Sequence, residues 1–129
     1  MPTEVEMENI LVVDDEEAIR EVVSTMLESK GYHCMTVPNG RAAQEQVKRA
    51  TPDLILSDMI MPEMDGLGLL RAVRGHPAVR KLPFILITGR GDRELVVTAA
   101  QAGVNNYLVK PFTEAMLRQK MEEVMGKLS

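Results

Sequence analysis

The stretch ILVVDDEE, residues 10–17, runs four apolar side chains straight into four carboxylates. A short apolar run with no polar alternation reads as a strand buried on both faces, the mark of a parallel sheet. Four like charges at its carboxyl end repel one another, so something must draw them there. A helical period follows at once. Ala18, Ile19, Val22, Val23, Met26 and Leu27 recur at spacings of three and four, and Gly31 closes the helix.

The same alternation continues outward. A weaker strand spans His33 to Val37, then come a helix around Arg41 to Ala50 and a strand from Leu54 to Ser57 after Pro52 and Asp53. Asp65 to Arg74 reads as a short helix, Phe84 to Thr88 as a strand after Pro83, Arg93 to Ala102 as a helix ended by Gly103, and Asn106 to Val109 as the fifth strand. Thr113 can cap the last helix, whose inner face carries Leu117, Met121, Val124, Met125 and Leu128. Five strands alternating with five helices predict an α/β fold: a doubly wound, five-stranded parallel sheet covered on both faces, with right-handed crossovers. The wholly apolar strands, Ile10 to Val13 and Phe84 to Ile87, are expected at its centre, and His33 to Val37 at an edge.

The 129 residues fit one domain, taken as residues 9–129 behind a short N-terminal tail, 1–8. With 45% hydrophobic and 26% charged residues, and no long apolar run, neither disorder nor a membrane span is expected. The start, MPTEVEMEN, lacks the basic and hydrophobic regions of a secretory signal. A lone cysteine, Cys34, excludes an intrachain disulfide, so a cytoplasmic location is the expectation and Cys34 reads as a small buried hydrophobe. Net charge is -4 with scattered Lys and Arg, which argues against nucleic acid and for protein partners.

In a doubly wound sheet, ligands sit outside the carboxyl ends of the strands. Those ends carry Asp14 and Asp15, Asp58, Thr88, and Lys110 followed by Pro111. Asp14 and Glu17 also have the spacing of a capping box, and on that segment alone capping is an equal reading. Asp58 tips the balance, because a third carboxylate converging on two others calls for a cation. Hard oxygen ligands that leave room for water and a phosphate suit Mg²⁺. His33 and His76 read as a strand and a loop residue, so zinc lacks its ligands.

A metal, an ammonium at Lys110 and a hydroxyl at Thr88 suit phosphoryl transfer, with Asp58 as nucleophile and the following loop, MIMPEMDG, as a source of a backbone carbonyl for the metal. Taken singly, Lys110 is a solvated lysine and Thr88 a strand-end threonine; their joint position carries the reading. Pro111 either forms a cis bond that turns Lys110 inward or merely stops the strand, and the two look alike in sequence. Met59, Met61 and Met64 read as loop packing.

The segments VVDDEE, LILSDMIMPEMDG, FILITGRG and NNYLVKPF resemble, in order and spacing across almost the whole chain, the receiver domain of two-component response regulators. AGVNNYLVKPFTEAMLRQKMEEV is similar to the stand-alone chemotaxis (CheY-like) type. The resemblance implies the flavodoxin-like strand order 2-1-3-4-5, an order known for chemotaxis receivers. It implies a phosphoryl group passing from a histidine kinase, or a small phosphodonor, to Asp58. Asp15 would bind Mg²⁺ directly, Asp14 through water or a carboxylate contact, with Asp58 and the Ile60 backbone carbonyl completing the set. Lys110 would pair with the phosphoryl group, Thr88 would be drawn to it, and Tyr107 would turn inward, reshaping the surface of helix 4, strand 5 and helix 5. The protein would thus catalyse its own phosphorylation and dephosphorylation and signal to a downstream target, the flagellar motor switch being the first to try.

Two positions depart from the chemotaxis pattern: Ile60 stands where asparagine is familiar and Arg90 where glutamate is familiar. With Gly89, which leaves access to the site, they would modulate attack by water. Two other classes compete. A receiver fold used only as an interaction module would not need its acceptor, metal and lysine positions filled, as they are here. A phosphatase of the haloacid dehalogenase type carries Asp-x-Asp after its first strand, whereas this pair is adjacent. Nucleotide binding lacks a Gly-rich loop.

Overall fold

The computed structural model describes residues 8–89 and 93–125. Its strands are β1 (Asn9–Val13), β2 (His33–Val37), β3 (Leu54–Asp58), β4 (Phe84–Thr88) and β5 (Asn106–Val109). Between and after them run α1 (Glu17–Glu28), α2 (Gly40–Arg49), α3 (Gly66–Gly75), α4 (Arg93–Gln101) and α5 (Glu114–Met125). All ladders are parallel and the order is β2-β1-β3-β4-β5.

Successive residues of an interior strand point to opposite faces, so each strand feeds two cores. Leu11, Val13, Ile55, Phe84 and Leu86 pack with Ala43, Val47, Leu69, Leu70 and Val73 of α2 and α3, and with Ala99 of α4. Ile10, Val12, Leu54, Leu56, Ile85 and Ile87 pack on the other face with Val23 and Leu27 of α1 and with Leu117, Met121 and Val124 of α5. At roughly 1.5–3 kcal/mol for each fully buried large aliphatic side chain, these two layers are the main source of stability. β1 and β4 are interior as expected, and β3 lies between them; its polar end, Ser57 and Asp58, masked that position in the sequence. β2 is an edge strand with three exposed residues of five.

Asn39, Asp65 and Thr113 cap α2, α3 and α5 by accepting from the backbone N–H of Ala42 (2.8 Å), Gly68 (2.7 Å) and Met116 (3.1 Å). The capping-box reading of Asp14 and Glu17 does not hold. α1 begins after Glu16, whose side chain makes no cap bond, and Asp14 Oδ1 instead accepts from Glu16 N at 2.9 Å. Cys34 is half-buried rather than buried, because it sits on the edge strand. Burial, with Glu28 adding to it, pushes its thiol up to about 12. Leu128, expected on the inner face of α5, lies outside the described residues.

Arg74 is a tie that the sequence reading overlooked. At the end of α3 it donates to the carbonyls of Gly103 (2.9 Å), Arg80 (3.0 Å) and Leu82 (2.6 Å) and to Asn105 Oδ1 (2.9 Å). It thereby fastens the loops that enter β4 and β5 at the edge of the sheet away from the carboxylates. No helix among the described residues is long and apolar enough to cross a membrane.

Candidate functional site

The register of the strands brings Asp14, Asp15, Asp58 and Lys110 together, with Thr88 at the end of the neighbouring strand. Asp58 pairs with Ile87 and Thr88 with Val109, so Thr88 and Lys110 each lie one residue beyond a ladder partner, side by side with Asp58. Lys110 N donates to Thr88 O at 2.7 Å, and the Lys110–Pro111 bond is cis. Carboxylate oxygens of Asp14, Asp15 and Asp58 all lie within 4.8 Å of one another. Asp14 and Asp58 are buried, at 1% and 7% exposure, whereas Asp15 faces solvent.

Lys110 Nζ stands 3.4 Å from Asp58 Oδ2 and 3.6 Å from Asp14 Oδ2. Burial, and then the Asp14 charge, hold the Asp58 carboxyl above the usual carboxylate range, against the pull of Lys110. Asp14 is fixed through its backbone: its N–H donates to Val37 O at 3.2 Å and its carbonyl accepts from Arg20 at 2.7 Å. With Oδ1 occupied by Glu16 N, Asp14 Oδ2 is buried without a hydrogen-bond partner. A buried carboxylate oxygen with no hydrogen bond and only the Lys110 ammonium at 3.6 Å, in a cluster of three acids, fits an oxygen-seeking cation.

The loop after Asp58 is held tightly. Met59 N donates to Ile87 O at 2.8 Å, and Met59 and Met61 are buried in the core, as loop packing requires. Glu63 has φ of 69°, and Met64 N donates across it to Pro62 O at 2.8 Å, a γ-turn of the rare, strained kind. The turn brings Gly66 against β3, where Gly66 N donates to Met59 O at 2.9 Å. A Cβ on Gly66 would collide with the Asp58 carbonyl oxygen and lie 2.7 Å from Leu86 Cδ2. Gly66 therefore sets how closely α3 approaches Asp58, a role visible in MDG only once the loop is closed.

Ile60, two residues after Asp58, is 76% exposed. Gly89 is exposed, and a side chain there would meet open space. Arg90 lies outside the described residues. Tyr107 is not in the carboxylate cluster; it pairs with Leu86, two residues before Thr88. A cavity of about 240 Å³ between α2 and α3, lined by Val47, Val73 and Val79 among others, lies apart from these groups and contains no carboxylate.

The chain matches the response regulator receiver domain over residues 10–122. It belongs to that family. Chemotaxis protein CheY1 of Helicobacter pylori is 40% identical over 119 residues, covering 91% of this chain and 96% of the relative. Chemotaxis protein CheY-3 of Vibrio cholerae is 37% identical over 120 residues, 92% of each chain. Among solved structures, Vibrio cholerae chemotaxis protein CheY4 superposes with a TM-score of 0.88 at 33% identity, covering 92% of this chain and 99% of that one. The receiver domain of a sensor histidine kinase from Pseudomonas aeruginosa superposes with a TM-score of 0.85 at 32% identity, covering 94% and 99%, and its structure holds a magnesium ion in the active site cleft. The receiver fold and the CheY-like response-regulator class read from the sequence are thus confirmed.

Proposed function

We propose that this receiver is a Mg²⁺-dependent phosphoacceptor switch in which Asp58 takes a phosphoryl group from a histidine kinase. The observation that carries the reading is the Lys110 ammonium 3.4 Å from a buried Asp58 whose neighbours are two further carboxylates. An Asp58 carboxylate oxygen attacks phosphorus, an O–P bond forms, and the N–P bond of the donor phosphohistidine breaks, its electron pair returning to the imidazole. Burial makes that carboxylate more basic, and Lys110 pairs with the phosphoryl oxygens as they arrive.

Asp14, Asp15, Asp58 and the Ile60 backbone carbonyl would hold the metal, and the buried Asp14 Oδ2, which has no hydrogen bond, supports this assignment. Bound Mg²⁺ supplies charge neutralisation on the transferring group. The magnesium-containing relative supports the choice of ion. Thr88 then bonds the phosphoryl group and Tyr107 turns inward, so that α4, β5 and α5 present a changed face. A ligand shifts such an equilibrium only by its differential affinity for the two states, here through Thr88. Ile60 and Gly89, and by sequence position Arg90, would modulate attack by the water that ends the signal. Residues 9–129 would act as one domain in the cytoplasm; the chemotaxis relatives support a chemotaxis role, for which a flagellar motor switch is the target to try first.

Intact mass after incubation with acetyl phosphate tests the chemistry. The expected result is one phosphoryl adduct that disappears without Mg²⁺ and in Asp58→Asn. An adduct that forms equally without the metal, or none at all, would overturn the reading.

A further inference from the structure

Across the β4–β5 ladder, Leu86 pairs with Tyr107 and Thr88 with Val109. Paired residues of parallel strands share a face, so the Tyr107 ring and the Thr88 side chain leave the sheet on the same side, one diagonal step apart. Leu86 marks that side as the one covered by α2, α3 and α4. Lys120 belongs to α5, which packs on the opposite face through Leu117, Met121 and Val124. Its Nζ nevertheless lies 5.5 Å from the centroid of the Tyr107 ring. The lysine must therefore reach round the open edge of β5. That separation is within the range where an ammonium is attracted to the negative face of an aromatic ring.

A second bond fixes the same edge. Asn106 Nδ2 donates to Glu123 Oε1 at 2.7 Å, which ties the turn of α5 that carries Lys120 to the strand that carries Tyr107. Tyr107 is half-buried at this edge, with the cation over it. We propose that Lys120 is a positioning residue that latches Tyr107 at the outer edge of β5 in the unmodified protein, and that the ring's inward turn breaks this contact. The inference rests on the reading of Thr88 and Tyr107 as the switch pair. Because the contact exists in one state only, its loss moves the equilibrium by its full worth, about two- to fivefold for a partly exposed cation–π pair.

The test uses the whole chain with Tyr32→Phe, which leaves Tyr107 as the single tyrosine of the original two. Tyr107 is labelled as 3-fluorotyrosine, and ¹⁹F NMR reads the ratio of inward to outward ring before and after acetyl phosphate with Mg²⁺. Lys120→Met, which keeps the length and removes the charge, is expected to raise that ratio two- to fivefold. Lys120→Arg is expected to restore it, which a purely structural role for the side chain would not require. A ratio unmoved in Lys120→Met, or moved as far in Lys120→Arg, overturns the latch. Intact mass on the same samples reports the phosphoryl adduct separately. Absence of the adduct would sink the switch chemistry while the unmodified samples still judge the latch.

Discussion

The Lys110 ammonium reaches past the end of β4 to stand 3.4 Å from Asp58 Oδ2, and it lies 3.6 Å from Asp14 Oδ2 as well. One cation thus serves two buried carboxylates that would otherwise face each other. The three carboxylates of the cluster still outnumber that single ammonium.

Removing that cation should leave two buried acids unpaired. Lys110→Met is expected to lower unfolding stability at pH 7 by about 1–3 kcal/mol, the usual cost of unsatisfied buried polar groups. The loss should shrink in acid as Asp58 takes up a proton. Urea unfolding at the two pH values checks this, and a variant as stable as wild type at pH 7 would refute the pairing.

Asp58 itself should destabilise the metal-free protein. In the folded state burial, and then the Asp14 charge, hold its carboxyl above the usual carboxylate range. The folded state therefore holds the proton more tightly than the unfolded chain does. Stability is greatest below the unfolded value and falls as pH rises through the folded one. Asp58→Asn is expected to stabilise the apo protein at pH 7, on the order of 1 kcal/mol for one relieved like-charge pair, with no gain near pH 3. Mg²⁺ should raise the melting temperature of wild type more than that of the variant. Thermal melts across pH, with and without Mg²⁺, decide the matter.

Gly66 couples the α3 start to the end of β3 that carries Asp58. Gly66→Ala would push a methyl into the Asp58 carbonyl and Leu86, an overpacking worth about 1–3 kcal/mol or more. Gly68→Ala, where the nearest atom is the Asp65 side chain at 3.2 Å, should cost less. Equal losses in urea unfolding would show that the Asp58 approach is not what fixes Gly66.

The strands were legible because four of them carry apolar runs bounded by Pro, Gly or charge, and the site was legible because its residues all follow such runs. Asp14 shows where reading stopped. Its spacing to Glu17 fits a capping box, and only the chain path reveals that its Oδ1 bonds Glu16 N and leaves Oδ2 for the cluster. Arg74, Gly66 and Lys120 were missed for a shared reason. Each acts across a distance set by packing, on carbonyls, a strand end and a ring that no local pattern links to them.

Ile60 offers the sharpest test of the signal's lifetime. It is 76% exposed two residues after Asp58, and an alkyl group can neither donate to nor accept from a water approaching phosphorus. An amide at that position could orient such a water. Orientation without proton transfer falls below the range of full general-base catalysis, so Ile60→Asn is expected to speed phosphate loss on the order of tenfold. Arg90→Glu adds a carboxylate two residues after Thr88, and the double exchange tests whether the two positions act on one water. Decay of the adduct mass after removal of the phosphodonor measures this. Additive effects in the logarithm of the rate would mean independent action, and a double variant no faster than Ile60→Asn would place both groups on the same step. An unchanged rate in all three would remove Ile60 and Arg90 from control of hydrolysis.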